Sequence, residues 1–112
     1  MIEIAIGLFA TAALLGAYMA LGVFKNQLPA WGISLAHAGL GATGLLLLLG
    51  VVFSGDAAPR VTQALLVLVV AALGGFFLAS FHFKGKFPPK AIVLIHAVVA
   101  ATGLILLLTS IL

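Results

Sequence analysis

The chain is written twice. Residues 24–49, FKNQLPAWGISLAHAGLGATGLLLLL, align without a gap to residues 83–108, FKGKFPPKAIVLIHAVVAATGLILLL, with 14 identities in 26 at an offset of 59. Upstream, Ala12, Ala13, Leu14, Gly16 and Ala20 match Ala71, Ala72, Leu73, Gly75 and Ala79 at the same offset. A duplicated unit folds the same way twice and packs against its own copy, so the problem reduces to one unit and one pseudo-symmetry. The repeat also pairs His37 with His96.

What the unit folds into follows from its lack of charge. Uncharged runs cover 4–24, 28–55, 61–81 and 91–112; hydrophobic residues make up 65% of the 112 and charged residues 6%. Roughly 20 apolar residues cross a bilayer as a helix, so four crossings fit with almost nothing left over. The reading is an all-α integral membrane bundle running up, down, up and down, as one transmembrane domain over 1–112. Repeat one covers 1–53 and repeat two 60–112, with spans at about 4–24, 31–53, 61–83 and 90–112. No soluble domain is expected. The opening Met-Ile-Glu lacks the basic residues of a secretory signal, so the first segment reads as a retained helix. The absence of cysteine excludes disulfides, thiolate metal sites and covalent c-type haem.

Charge is placed unevenly. Lys25, Lys84, Lys86 and Lys90 flank the proline-containing loops 25–30 and 82–90, whereas Arg60 shares the other end with Glu3 and Asp56. This is the positive-inside pattern, which predicts those loops in the cytoplasm, both termini and loop 54–60 outside, and a bacterial-type inner membrane. The same distribution argues against nucleic acid as a partner and leaves the lipid bilayer as the principal one. Pro29, Pro88 and Pro89 mark the starts of helices two and four, and Pro59 precedes helix three. Trp31, Tyr18, Phe24, Phe81, Phe83 and Phe87 near the basic end read as an interfacial aromatic belt.

Because each unit holds two spans, the copies share one orientation and are related by an axis along the membrane normal. Symmetry-related helices then lie diagonally, which sets His37 and His96 at one depth and facing each other. Ala12, Gly16 and Ala20 form a small-residue ridge repeated by Ala71, Gly75 and Ala79; helix packing accounts for it, and clearance for a flat ligand is compatible with it. Gly41 and Gly44 lie four and seven residues after His37, on its face, and Ala100 and Gly103 repeat them after His96. Side-chain-poor strips of this kind make room for something. Eight residues past Pro29, His37 lies ~12 Å along its helix.

An ionisable residue inside a membrane is a functional candidate by default. Two opposed imidazoles with no cysteine and no nearby carboxylate suit haem b, each binding iron through one nitrogen while the other N–H is held by a backbone carbonyl, with Ile33 and Ile92 as the expected acceptors. Lys25, Lys84, Lys86 and Lys90, with His82 at the end of helix three, would supply cations for the propionates. The expected site is therefore His37 and His96 on the metal, with Gly16, Gly41, Gly44, Gly75, Ala100, Gly103, Lys25, Lys84 and His82 around the macrocycle. His82 has no counterpart, since Val23 holds its place in the first copy, and it reads as an interfacial residue beside Lys84. Thr43 and Thr102 fall off the histidine face and should bond their own helix backbone.

At these residues the chain resembles the four-helix membrane b-type cytochromes of the cytochrome b561-like group, which hold haem between histidines on different helices. The resemblance rests on architecture, His37, His96 and the small residues near them. Members typically carry four ligand histidines for two haems, whereas the outer half here offers no further histidine. The resemblance thus implies one bis-histidine haem and electron transfer.

Other readings stay open at this stage. Each imidazole could simply bond a neighbouring helix or the other histidine. Another tetrapyrrole could replace haem, or no cofactor be held. Two histidines without a third ligand make an incomplete zinc or copper site. Glu3 and Asp56 lie far from the histidines, so no acid–base pair assembles, and an electron carrier or subunit is expected rather than an independent enzyme. A small transporter using the paired histidines, and an accessory or assembly subunit of a larger membrane complex, are the competing functions. A redox partner, a larger complex and a second copy are the candidate protein partners.

Overall fold

The computed structural model describes Met1–Leu112 and contains four helices: α1 (Ile2–Phe24), α2 (Trp31–Phe53), α3 (Pro59–Phe83) and α4 (Lys90–Thr109). All four are long and apolar enough to cross a membrane, and the bundle measures 44 × 23 × 19 Å, long enough for a hydrocarbon core of about 30 Å. The chain is an integral membrane four-helix bundle. Helix α1 starts two residues before its expected span, α3 also two before, and α4 stops three short.

The helices form because a backbone in lipid must bond to itself. Of 94 backbone hydrogen bonds, 76 lie within helices, so the glycines of α2 and α3 do not interrupt them. Hydroxyls follow the same rule: Thr43 donates to the Gly39 carbonyl and Thr102 to that of Val98, both at 2.8 Å.

The turns joining α1 to α2 and α3 to α4 are copies. Asn26 (φ 60°) and Gly85 (φ 64°) take the left-handed conformation at equivalent positions. The next amides, of Gln27 and Lys86, reach back to the carbonyls of Gly22 and Phe81 at 2.8 and 2.9 Å. Both turns are Schellman closures, which satisfy the last helix carbonyls and fold each chain end sharply back. Within each hairpin the helices pack extensively, whereas the two hairpins meet along narrower α1–α4 and α2–α3 seams. The backbones of the diagonal pairs α1/α3 and α2/α4 stay more than 8 Å apart, Cα to Cα.

The largest cluster of buried side chains lies at the end that holds the termini. The core there is Ala5, Phe9, Leu48, Val61, Ala64, Leu65, Leu68 and Leu107. Three of its pairs, Ala5/Ala64, Phe9/Leu68 and Leu48/Leu107, are repeat equivalents. Transfer from water contributes little once the helices are in lipid, so these contacts hold the hairpins together through close fit. The lysine-rich half lacks such a cluster, and the histidines lie at its boundary.

Candidate functional site

His37 and His96 are each the seventh residue of their helix, on diagonal members of the bundle. Their ring centroids are 6.3 Å apart with planes inclined at 77°, edge to face across the bundle axis. Both side chains are half-buried.

Each ring is held by the other helix of its own hairpin. His37 Nδ1 donates to the Ala12 carbonyl at 2.7 Å, and His96 Nδ1 donates to the Ala71 carbonyl at 2.8 Å. The expected acceptors, Ile33 and Ile92, are not used. Each imidazole instead leans across its hairpin, where the small side chain of Ala12 or Ala71 leaves a helix carbonyl uncovered to accept a second hydrogen bond. A carbonyl oxygen only accepts, so the proton is on Nδ1 in both rings. Nε2 of each neutral imidazole is therefore an acceptor with no hydrogen to give. Two such rings cannot hydrogen-bond one another. What the pair can bind is a proton or an electron-pair acceptor between them.

Glycine makes the close lean feasible. A Cβ at Gly16 would stand 2.9 Å from His37 Cε1, and one at Gly75 would stand 3.2 Å from His96 Cε1. Gly16 and Gly75 thus serve the imidazoles themselves, rather than a ligand beyond them. The strip past the histidines is narrower than the sequence suggested. Phe9 fills the notch at Gly44, where an added Cβ would meet its ring at 2.9 Å, and Leu68 fills Gly103 at 2.6 Å. The cause is the duplication: Phe9 and Leu68 are one repeat position, and each plugs the glycine of its own hairpin. Gly41 keeps open space, and Ala100 is half-buried.

His82 belongs to a second cluster. Its ring stacks on the Trp31 indole, centroids 3.7 Å apart and planes 3° from parallel. Its Nδ1 shares a 3.2 Å hydrogen bond with the Ser34 hydroxyl. Phe83 also packs against Trp31, ring centroids 4.9 Å apart and planes tilted by 51°. Trp31 is therefore a partner across the α2–α3 seam and not only a belt residue, and Ser34 joins it. Neither is legible from the repeat, because Lys90 and Val93 hold their places in the second copy. Lys25 and Lys84 are the exposed C-caps of α1 and α3.

The three side-chain hydrogen bonds that cross between helices, from His37, His96 and His82, account for all three histidines of the chain. On the flank of α3 and α4, a lipid-facing groove of about 300 Å³ runs past Gly74 to His96. Leu15 stands at the position of Gly74 in the first hairpin. No protein-family model, curated protein or solved structure matches this chain.

Proposed function

We propose that the protein is a small b-type cytochrome holding one haem b between His37 and His96 and relaying electrons at its lysine-rich side. The observation that carries the reading is the pair of Nε2 lone pairs, each left free by an Nδ1–H fixed on a backbone carbonyl. That second contact orients a ligand imidazole and raises its basicity. The ring centroids lie 6.3 Å apart across the bundle, so His37 and His96 would be the residues to hold the group's metal between them.

The residues present fit a macrocycle better than a bare ion. Two histidines are incomplete for tetrahedral zinc, but sufficient for a metal whose other four ligands come with it. At the histidine level the clearances at Gly16 and Gly75 are taken by the imidazoles themselves, and Ala12 and Ala71 beside them present only methyl groups. Below, Phe9 and Leu68 close the bundle, so a bound group would extend toward the lysine end. Lys25, Lys84, Lys86, Lys90 and His82 are the cations at that end for its carboxylates. Haem bound there would supply a one-electron couple. By the positive-inside rule that side is cytoplasmic in a bacterial-type inner membrane, and the electron partner is another membrane redox protein or a larger complex.

One observation favours a second reading. Each histidine already fastens its own hairpin, which is what polar residues do in helix packing, and an accessory subunit needs nothing more. The reduced-minus-oxidised spectrum of protein made with ample haem separates the two, with a pyridine haemochrome assay for stoichiometry. The cytochrome reading expects sharp α and Soret bands near one haem per chain. Those bands should be lost in His37→Ala and in His96→Ala and retained in His82→Ala. A colourless, well-folded protein sinks it and leaves the histidines as packing groups.

A further inference from the structure

Where α1 turns into α2, a cavity of about 300 Å³ opens at the lysine-rich end, with Tyr18, Gly22, Lys25, Gln27, Met19 and Ile33 among its walls. Tyr18, Gly22 and Lys25 follow one another at i, i+4 and i+7, so they share a face of α1, with the glycine as a gap between phenol and ammonium. The cavity is amphipathic: charged and polar toward the turn, apolar along the helices.

The second hairpin shows what creates it. Phe77, Phe81 and Lys86 stand where the first hairpin has Tyr18, Gly22 and Gln27. Phe77 and Phe81 pack edge to face, centroids 5.3 Å apart, over the place where Gly22 leaves a gap. The backbone is the same in both turns, because Gly22 and Phe81 accept the equivalent turn amide. The two hairpins therefore differ by an open notch with donors in one and an edge-to-face aromatic plug in the other.

Charge indicates the occupant. The four lysines lie at this end, whereas both acids, Glu3 and Asp56, lie at the other. The one ion pair in the structure joins the N-terminus to Glu3, so Lys25 has no carboxylate partner. A cationic pocket between helices at a membrane surface suits an anionic lipid headgroup. We propose that this cavity binds one anionic phospholipid, its phosphate on Lys25 with the Tyr18 hydroxyl and Gln27 amide as further donors, and an acyl chain lying along Met19 and Ile33. Of its residues only Lys25 is also among the cations proposed for the haem carboxylates, and the cavity is formed without any group on His37 or His96.

The test is native mass spectrometry of the full chain in detergent, titrated with phosphatidylglycerol and with phosphatidylcholine of the same acyl chains. One phosphatidylglycerol should bind at least fivefold more tightly than phosphatidylcholine. Gly22→Phe, which copies the plug of the second hairpin, should abolish that adduct. Lys25→Gln should weaken it about fivefold, the loss expected for one cation at a membrane surface, and Lys84→Gln at the equivalent position should leave it unchanged. Equal binding of the two lipids overturns the proposal. So does an equal loss in Lys84→Gln, which would mark diffuse surface attraction, or full displacement by millimolar inorganic phosphate, which would mark a free-anion site.

Discussion

Gly16→Ala and Gly75→Ala are the same substitution at the same repeat position, yet they should not cost the same. Ordinary contact begins at 3.4 Å, so the new methyl requires His37 to retreat by about 0.5 Å and His96 by only about 0.2 Å. The clashing atom, Cε1, is bonded to the Nδ1 that holds the neighbouring carbonyl. Retreat along that bond takes the His37 hydrogen bond from 2.7 Å to about 3.2 Å, the outer limit for N–H···O, and leaves that of His96 near 3.0 Å. Overpacking costs about 1–3 kcal/mol, and a weakened interhelical hydrogen bond in a membrane about 0.6–1.7 kcal/mol. Alanine's advantage over glycine within a helix is common to both variants and cancels. Gly16→Ala should therefore be the more destabilising by about 1–2 kcal/mol. Gly74→Ala, whose Cβ would lie an ordinary 3.6 Å from His96 Nδ1, is the control and should be tolerated. The measurement is unfolding in mixed detergent and dodecyl sulfate micelles, followed by helical circular dichroism. Equal costs for the two variants, or a larger one for Gly75→Ala, would refute the claim that these glycines are clearances for the imidazoles.

In the same assay Gly103→Ala should cost about 1–3 kcal/mol, because the methyl meets the branched carbon of buried Leu68 at 2.6 Å and not a flexible chain end. Adding Leu68→Ala should return part of that loss, and strictly additive costs would contradict the contact. Gly85→Ala, at φ 64°, should destabilise the second turn by about 1–2 kcal/mol, whereas Asn26→Gly in the first turn should be neutral or stabilising; the reverse order would exclude the left-handed assignment. Trp31 is the sole tryptophan and lies flat on His82 with ring centroids 3.7 Å apart. His82→Ala uncovers that face of the indole and should change the intensity and wavelength of the intrinsic emission, whereas His96→Ala, remote from Trp31, should leave both as in the wild type. Emission indifferent to His82→Ala would mean that the two rings are not stacked.

The repeat was enough to define the unit, and lack of charge was enough to define its solvent. Together they yielded four helices, their order and their ends to within three residues, because a backbone in lipid has few alternatives to a helix. The diagonal relation of α2 to α4, and with it the facing of His37 and His96, also follows from a parallel duplication of a hairpin. Helical periodicity puts Gly41, Gly44, Ala100 and Gly103 on the histidine faces.

Only the tertiary structure decided what lies opposite those faces. Periodicity specifies a direction from one helix axis, whereas a contact also needs the axial shift and rotation of the neighbour, which packing sets. That is why Gly44 and Gly103 received Phe9 and Leu68 instead of a ligand, and why the imidazoles donate to Ala12 and Ala71 instead of to their own helices. It is also why Trp31, Ser34 and His82 came together unannounced: their equivalents in the other copy are Lys90, Val93 and Val23, so the repeat carries no trace of the cluster. Where the two copies agree, the sequence spoke for the structure; where they differ, the side chain across the seam settled the outcome.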